Sequence, residues 1–204
     1  PGGIDSVQPL SGEAPRLTFR MPQWDVELLF RPLDFIQVNA KLNEAMIARA
    51  LDLLDVQPGE RVLDLFCGLG NFSLPMARRA AEVVAVEGDA GLVGRARDNA
   101  VRNGLGNVDF HVADLFQDSR AQPWATLAYD RVLLDPPRAG AREVLPIVSA
   151  SGAGRVLYIS CHPGSLARDA GILVREHGFR LTAAGVMDMF PHTTHVEAMA
   201  VFER

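Results

Sequence analysis

From residue 61 onward, short apolar runs alternate with amphipathic stretches. Runs rich in Val, Leu and Ile at 61–66 (RVLDLF), 82–87 (EVVAVE), 108–112 (VDFHV), 129–134 (YDRVLL) and 155–160 (RVLYIS) predict strands. Helical periodicity fills the intervals at about 72–80, 90–103, 142–150 and 165–177. The helix at 90–103 stops at Asn103-Gly104, a left-handed cap signal. Apolar strands separated by helices predict a parallel sheet covered on both faces. Upstream, Asn39 can cap a helix whose apolar face is Leu42, Met46, Ala50, Leu53 and Leu54, with Pro58-Gly59 as its stop. Segments 16–21 and 24–31 are short strand candidates around a Pro-containing turn, and 179–187 and 195–203 are two strands with no helix between them.

At 204 residues the chain is long enough for one well-buried domain. The opening PGGIDSVQPLSGEAP is rich in Pro, Gly and Ser, and no Met begins it. Residues 1–23 are therefore expected to be a linker or partial N-terminal segment, with one folded domain over 24–204. With 48% hydrophobic and 22% charged residues and a mean hydropathy of +0.08, the composition is that of a globular protein. No apolar run is long enough to span a bilayer and no signal peptide opens the chain, so a cytoplasmic monomer is expected. Cys67 and Cys161 lie far apart without metal-ligand spacing, which excludes a Cys-only zinc or iron–sulfur site within this chain. The formal charge of −5 argues against a broad electrostatic grip on phosphates. A nucleic-acid partner would need a local basic patch or a segment outside these residues.

One end of the predicted sheet carries ligand chemistry. Asp64-Leu65-Phe66-Cys67-Gly68-Leu69-Gly70-Asn71-Phe72 sits where a strand ends and a helix begins. Glycine at Gly68 and Gly70 allows a tight turn and close backbone approach to a ligand. Leu74 occupies the third position of a would-be G-x-G-x-x-G, and no Gly-Lys-Ser/Thr follows, so a ligand without phosphates is favoured. Glu87 ends the next strand and can accept from ribose hydroxyls, and Asp114 follows the third strand. Each acid alone could be a solvated strand end. Three such features at successive strand ends point to adenosine.

The following strands end in reactive groups. Asp135-Pro136-Pro137-Arg138 holds Asp135 on a stiffened backbone. Arg138 replaces the aromatic that often follows Pro-Pro in enzymes methylating base amino groups. Ser160-Cys161-His162-Pro163 places Cys161 beside a helix N-terminus, where a dipole favours a thiolate. Cys67 is read as packing, and His162 as structural or RNA-facing. Period-two geometry sets His195 and Glu197 on one strand face.

Phe35-Ile36-Gln37-Val38-Asn39, the 64–72 loop, Asp135-Pro136-Pro137-Arg138, Ser160-Cys161-His162-Pro163 and His195-Val196-Glu197 occur in the order of the RNA 5-methyluridine methyltransferases. The chain resembles that family from about Trp24 onward, most closely its bacterial 23S ribosomal RNA branch, with the tRNA T-loop branch next. The resemblance implies an α/β, class I (Rossmann-like) S-adenosylmethionine-dependent methyltransferase fold, mostly parallel with a terminal antiparallel strand pair. It implies that Gln37, Phe66, Gly68, Asn71, Glu87, Asp114 and Asp135 bind S-adenosyl-L-methionine, with no metal. Cys161 is then the nucleophile and Glu197 the base in methylation of uracil carbon 5 in RNA, 23S rRNA first and tRNA second. Asp114 departs from the Asn frequent in the ribosomal branch, and His162 from the usual Cys-Asn-Pro. The RNA-binding β-barrel and four-cysteine iron–sulfur cluster common in that branch have no counterpart here. Two other readings compete: a small-molecule methyltransferase, which would not need Cys161, and an adenosine-binding RNA adaptor, which would not need Cys161 with Glu197.

Overall fold

The computed structural model describes residues 7, 12, 16–37, 39–189, 192–193 and 196–204. His195, expected beside Glu197, and Val38 lie outside the described residues. A hairpin of β1 (Leu17–Met21) and β2 (Val26–Phe30) comes first, with the chain reversing through a 3-10 turn at Pro22–Trp24. Met21, Val26 and Leu28 are buried, so the boundary expected between residues 23 and 24 falls inside an element that packs with the rest of the domain.

Helix α1 (Ala40–Leu54) is capped as expected, by the Asn39 side chain accepting from the Leu42 N–H at 3.2 Å. It stops before Pro58-Gly59, because Asp55 turns into the left-handed region at φ 52°. Then follow β3 (Arg61–Leu65), α2 (Ser73–Ala77), β4 (Glu82–Glu87), α3 (Ala90–Arg102), β5 (Val108–Val112), β6 (Arg131–Leu134), α4 (Leu145–Ala150), β7 (Arg155–Ser160), α5 (Pro163–Arg175), β8 (Arg180–Met187) and β9 (Glu197–Glu203). The helix expected over 142–150 is a 3-10 turn at Arg142–Val144 running into α4. Helix α5 begins two residues earlier than the periodicity predicts, because Pro163 is favoured in a first turn.

The sheet order is β5-β4-β3-β6-β7-β9-β8. Strands β3 to β7 are parallel, and β9 inserts antiparallel between β7 and β8. Alternate residues of the central strands feed two cores. Val62, Val83 and Ala85 face α1, α2 and α3, while Leu63, Val84 and Val86 face the α4 and α5 side. Burial on both faces explains the nearly continuous apolar strands. On α3, the Asn99 and Asn103 amides, one helical turn apart, each exchange two hydrogen bonds with the β2 backbone, at Leu29 and Glu27. That fastens the hairpin beside the site. The order in which successive strands are laid down reverses between β3 and β6, and the carboxyl ends of the parallel strands around this switch point form a crevice.

Candidate active site

A cavity of ≈ 470 Å³ opens at that crevice. Its walls include Gln37, Phe66, Gly68, Asn71, Glu87, Asp114, Asp135, Cys161 and Glu197, so the nine residues expected to bind the cofactor or carry the chemistry meet in one space.

The loop after β3 makes the first wall. Phe66 takes a left-handed φ of 68°, uncommon for a bulky residue, and its N–H and that of Cys67 both donate to the Val86 carbonyl. Gly70, at φ 90°, approaches Leu74 so closely that a Cβ would sit 3.1 Å from it. Glu87 anchors this loop from β4: one carboxylate oxygen accepts from the Gly68 N–H at 3.1 Å, the other from Gly88 and Asp89 at 2.7 and 3.1 Å. Asn71 is held by Asn43 of α1 through reciprocal amide bonds of 3.0 and 3.2 Å. Asp114 accepts from the Phe116 N–H at 2.9 Å, and the Phe116 ring lies 5.7 Å from that of Phe66. The strip carrying Gln37 is pinned where Asp34 meets Arg95 of α3 at 2.6 Å. Gln37 Oε1 is buried without a partner, an acceptor whose lost hydration calls for a ligand donor.

Asn43, Phe116 and the Asp34–Arg95 pair escaped the sequence reading. Phe116, two residues past Asp114 at a strand end, had a positional signal. The other partners are remote in sequence and had none.

The opposite wall is acidic. Strands β7 and β9 pair Ser160 with Ala198, so Cys161 and Glu197 are the next residues on the two strands, side by side at the sheet end. Asp135, after β6, completes the group. Burial pushes the Cys161 thiol above its ordinary value, and the Glu197 and Asp135 charges add to the rise, while Arg138 opposes it. The thiolate bias expected from the helix end is therefore outweighed. Burial also raises Glu197, and burial followed by the charges of Glu197 and Asp64 pushes Asp135 up to about 8. Asp64, at the base of the loop after β3, is pushed up to about 7, chiefly by burial against its bond from the Ser73 hydroxyl. His162 takes the structural part of its expected role: its Nδ1 accepts from the Ser165 N–H at 3.1 Å and caps α5. Cys67 is buried and unbridged. Among the described residues no His, Cys, Asp and Glu cluster could hold a metal, and no helix is long and apolar enough to cross a membrane.

This sheet order, with its cavity at the switch point, is the class I fold of S-adenosylmethionine-dependent methyltransferases. A TM-score of 0.77 relates the chain to the crystal structure of Pyrococcus abyssi tRNA (uracil-54, C5)-methyltransferase in complex with S-adenosyl-L-homocysteine, at 29% identity over 92% of this chain and 44% of that one. The tRNA (Uracil-5-)-methyltransferase family model matches residues 21–204, and the chain belongs to that family. It is 67% identical, over its whole length, to the 23S rRNA (uracil(1939)-C(5))-methyltransferase RlmD of Stenotrophomonas maltophilia (strain K279a), and 65% identical to that of Xanthomonas axonopodis pv. citri (strain 306). It spans 46%, about half, of the length of each.

Proposed function

We propose that this chain is the catalytic part of an S-adenosylmethionine-dependent enzyme that methylates carbon 5 of a uridine in 23S rRNA. The observation that carries the reading is the adjacency of Cys161 and Glu197 in the cavity that also holds the Glu87-anchored loop. The residues fit the cofactor. Glu87 Oε2 keeps one lone pair for a ribose hydroxyl, Phe66 and Phe116 offer apolar faces for adenine, and Gln37 has an unpaired acceptor. When bound, S-adenosylmethionine supplies an electrophilic methyl group on a sulfonium sulfur.

The chain's own groups supply the rest. Carbon 5 of uracil is too weak a nucleophile unaided. The Cys161 thiol loses its proton to solvent and adds as the thiolate to carbon 6, and the carbon 5–carbon 6 electron pair moves onto the ring as an enolate, nucleophilic at carbon 5. Once carbon 5 is methylated, Glu197 removes its proton. The double bond re-forms and the carbon 6–sulfur bond breaks, returning Cys161. A positioned general base of this kind contributes ~100- to 10,000-fold. The target base has to leave its stack to reach Cys161.

Nucleoside analysis of 23S rRNA after deletion of the gene tests the substrate. Loss of one 5-methyluridine from 23S rRNA is expected, whereas loss from tRNA would reassign it. Glu87→Ala is expected to weaken S-adenosylmethionine binding by about 1–3 kcal/mol in calorimetry, the scale of a hydrogen bond to a charged group. An unchanged dissociation constant would reduce Glu87 to an anchor of the Gly68 loop.

Phosphate contacts dominate affinity for RNA, and 25 acids against 20 Lys and Arg supply few. Of the basic groups near the mouth, Arg168 is engaged with Asp169 and His162 caps α5, leaving Arg138 and Arg142 as the exposed pair. Residues 1–204 alone are therefore expected to bind the cofactor but to methylate RNA less efficiently than a protein of the relatives' full length. Catalytic efficiency measured across salt concentrations checks this. Equal efficiency with equal salt dependence would mean that these residues grip RNA by themselves.

A further inference from the structure

We propose that Asp169 and Arg168 clamp the 135–141 loop against the strand that delivers Cys161, and so act as positioning residues for methyl transfer. The inference rests on the reading of Cys161 as nucleophile.

Asp169, on α5, is a fully buried carboxylate that lies outside the cavity wall. One oxygen accepts from the Tyr158 hydroxyl at 2.7 Å and from the Ala141 N–H at 2.8 Å. The other accepts from Arg168 Nε at 2.8 Å, and the same guanidinium donates to the Ala139 carbonyl at 2.8 Å. Tyr158 precedes Cys161 by three residues on β7, and Ala141 closes the loop that Asp135 opens. A single side chain therefore joins the two segments that bring Asp135, Arg138 and Cys161 to the cavity.

The fit between loop and helix is close. Gly140 has φ +88°, and a Cβ there would lie 2.5 Å from Asp169 Oδ2 and collide with the Arg168 guanidinium. Only a glycine lets the loop come this near. Fixed φ at Pro136 and Pro137 stiffens the path back to Asp135, so a shift at the Ala141 end is carried toward the reacting groups. A carboxylate buried with all its donors in place holds one arrangement, whereas removing its charge leaves those donors poorly paired. None of these bonds touches the Gly68 loop, Glu87 or Asn71. The clamp should thus act mainly on kcat, reaching the cofactor only through Asp135.

The test uses the full-length protein with Asp169→Asn, which preserves shape, and Gly140→Ala, which forces the loop and the Asp169–Arg168 pair apart while keeping both charged side chains. Both are expected to lower kcat by ~10- to 100-fold, the consequence of a misplacement of about 1 Å, with KM for S-adenosylmethionine changed far less than kcat. RNA bearing 5-fluorouracil at the target leaves no carbon 5 proton to remove, so the Cys161 adduct persists and its rate of formation should fall by the same factor. A lower melting temperature with wild-type kcat and adduct rate would make Asp169 merely structural and overturn the clamp. Wild-type enzyme that methylates uracil without forming the adduct would overturn the nucleophile reading, and the clamp with it.

Discussion

Cys161→Ala is expected to abolish methyl transfer, a loss of at least about a thousandfold in kcat, with S-adenosylmethionine bound as before. The separation follows from the sheet. Cys161 follows the last residue of β7 and Glu87 ends β4, three strand spacings or about 14 Å apart. On the proposed mechanism the thiol meets only the uracil. Calorimetric binding alongside transfer of a tritiated methyl group to RNA reads both quantities. Substantial turnover in the variant would end the nucleophile assignment and favour the small-molecule reading.

Glu197→Gln is expected to stall after methyl transfer and accumulate a protein–RNA adduct, seen as a shifted band on denaturing gels. Without a base the carbon 5 proton stays, and elimination of Cys161 cannot follow. The same variant should change the pH dependence of adduct formation. The Glu197 charge helps to hold the Cys161 thiol protonated, so its removal lowers the thiol's pKa. The rise in adduct formation with pH should therefore begin at lower pH than in wild type. An inactive variant without adduct would give Glu197 another task, and an unmoved profile would separate its charge from the thiol.

Much of this architecture was legible in the chain. The strands at 61–66, 82–87 and 155–160 were readable because burial on both faces imposes apolar runs, and Asn39 and Gly104 because caps are local. Most of the cavity residues could be named because they lie at strand ends, where the topology gathers them, whereas Gln37 rested on the family resemblance alone. What stayed hidden depends on distance in space. The Asn43–Asn71 pair and the bonds from Asp169 to Ala141 and Tyr158 join residues remote in sequence. The raised Cys161 thiol is another such case: a helix end was visible, but the recessed position beside Glu197 and Asp135 that outweighs it was not. Nothing local in the sequence showed that the Arg168 guanidinium sits on Asp169 and the Ala139 carbonyl.

The central claim is that Cys161 attacks uracil and Glu197 releases the product. Tandem mass spectrometry of the Glu197→Gln adduct, after nuclease and protease digestion, tests it most directly. The account predicts one methylated uridine nucleotide joined to the peptide that contains Cys161. A nucleotide on any other side chain, Cys67 included, or active enzyme that never yields a covalent species, would contradict it.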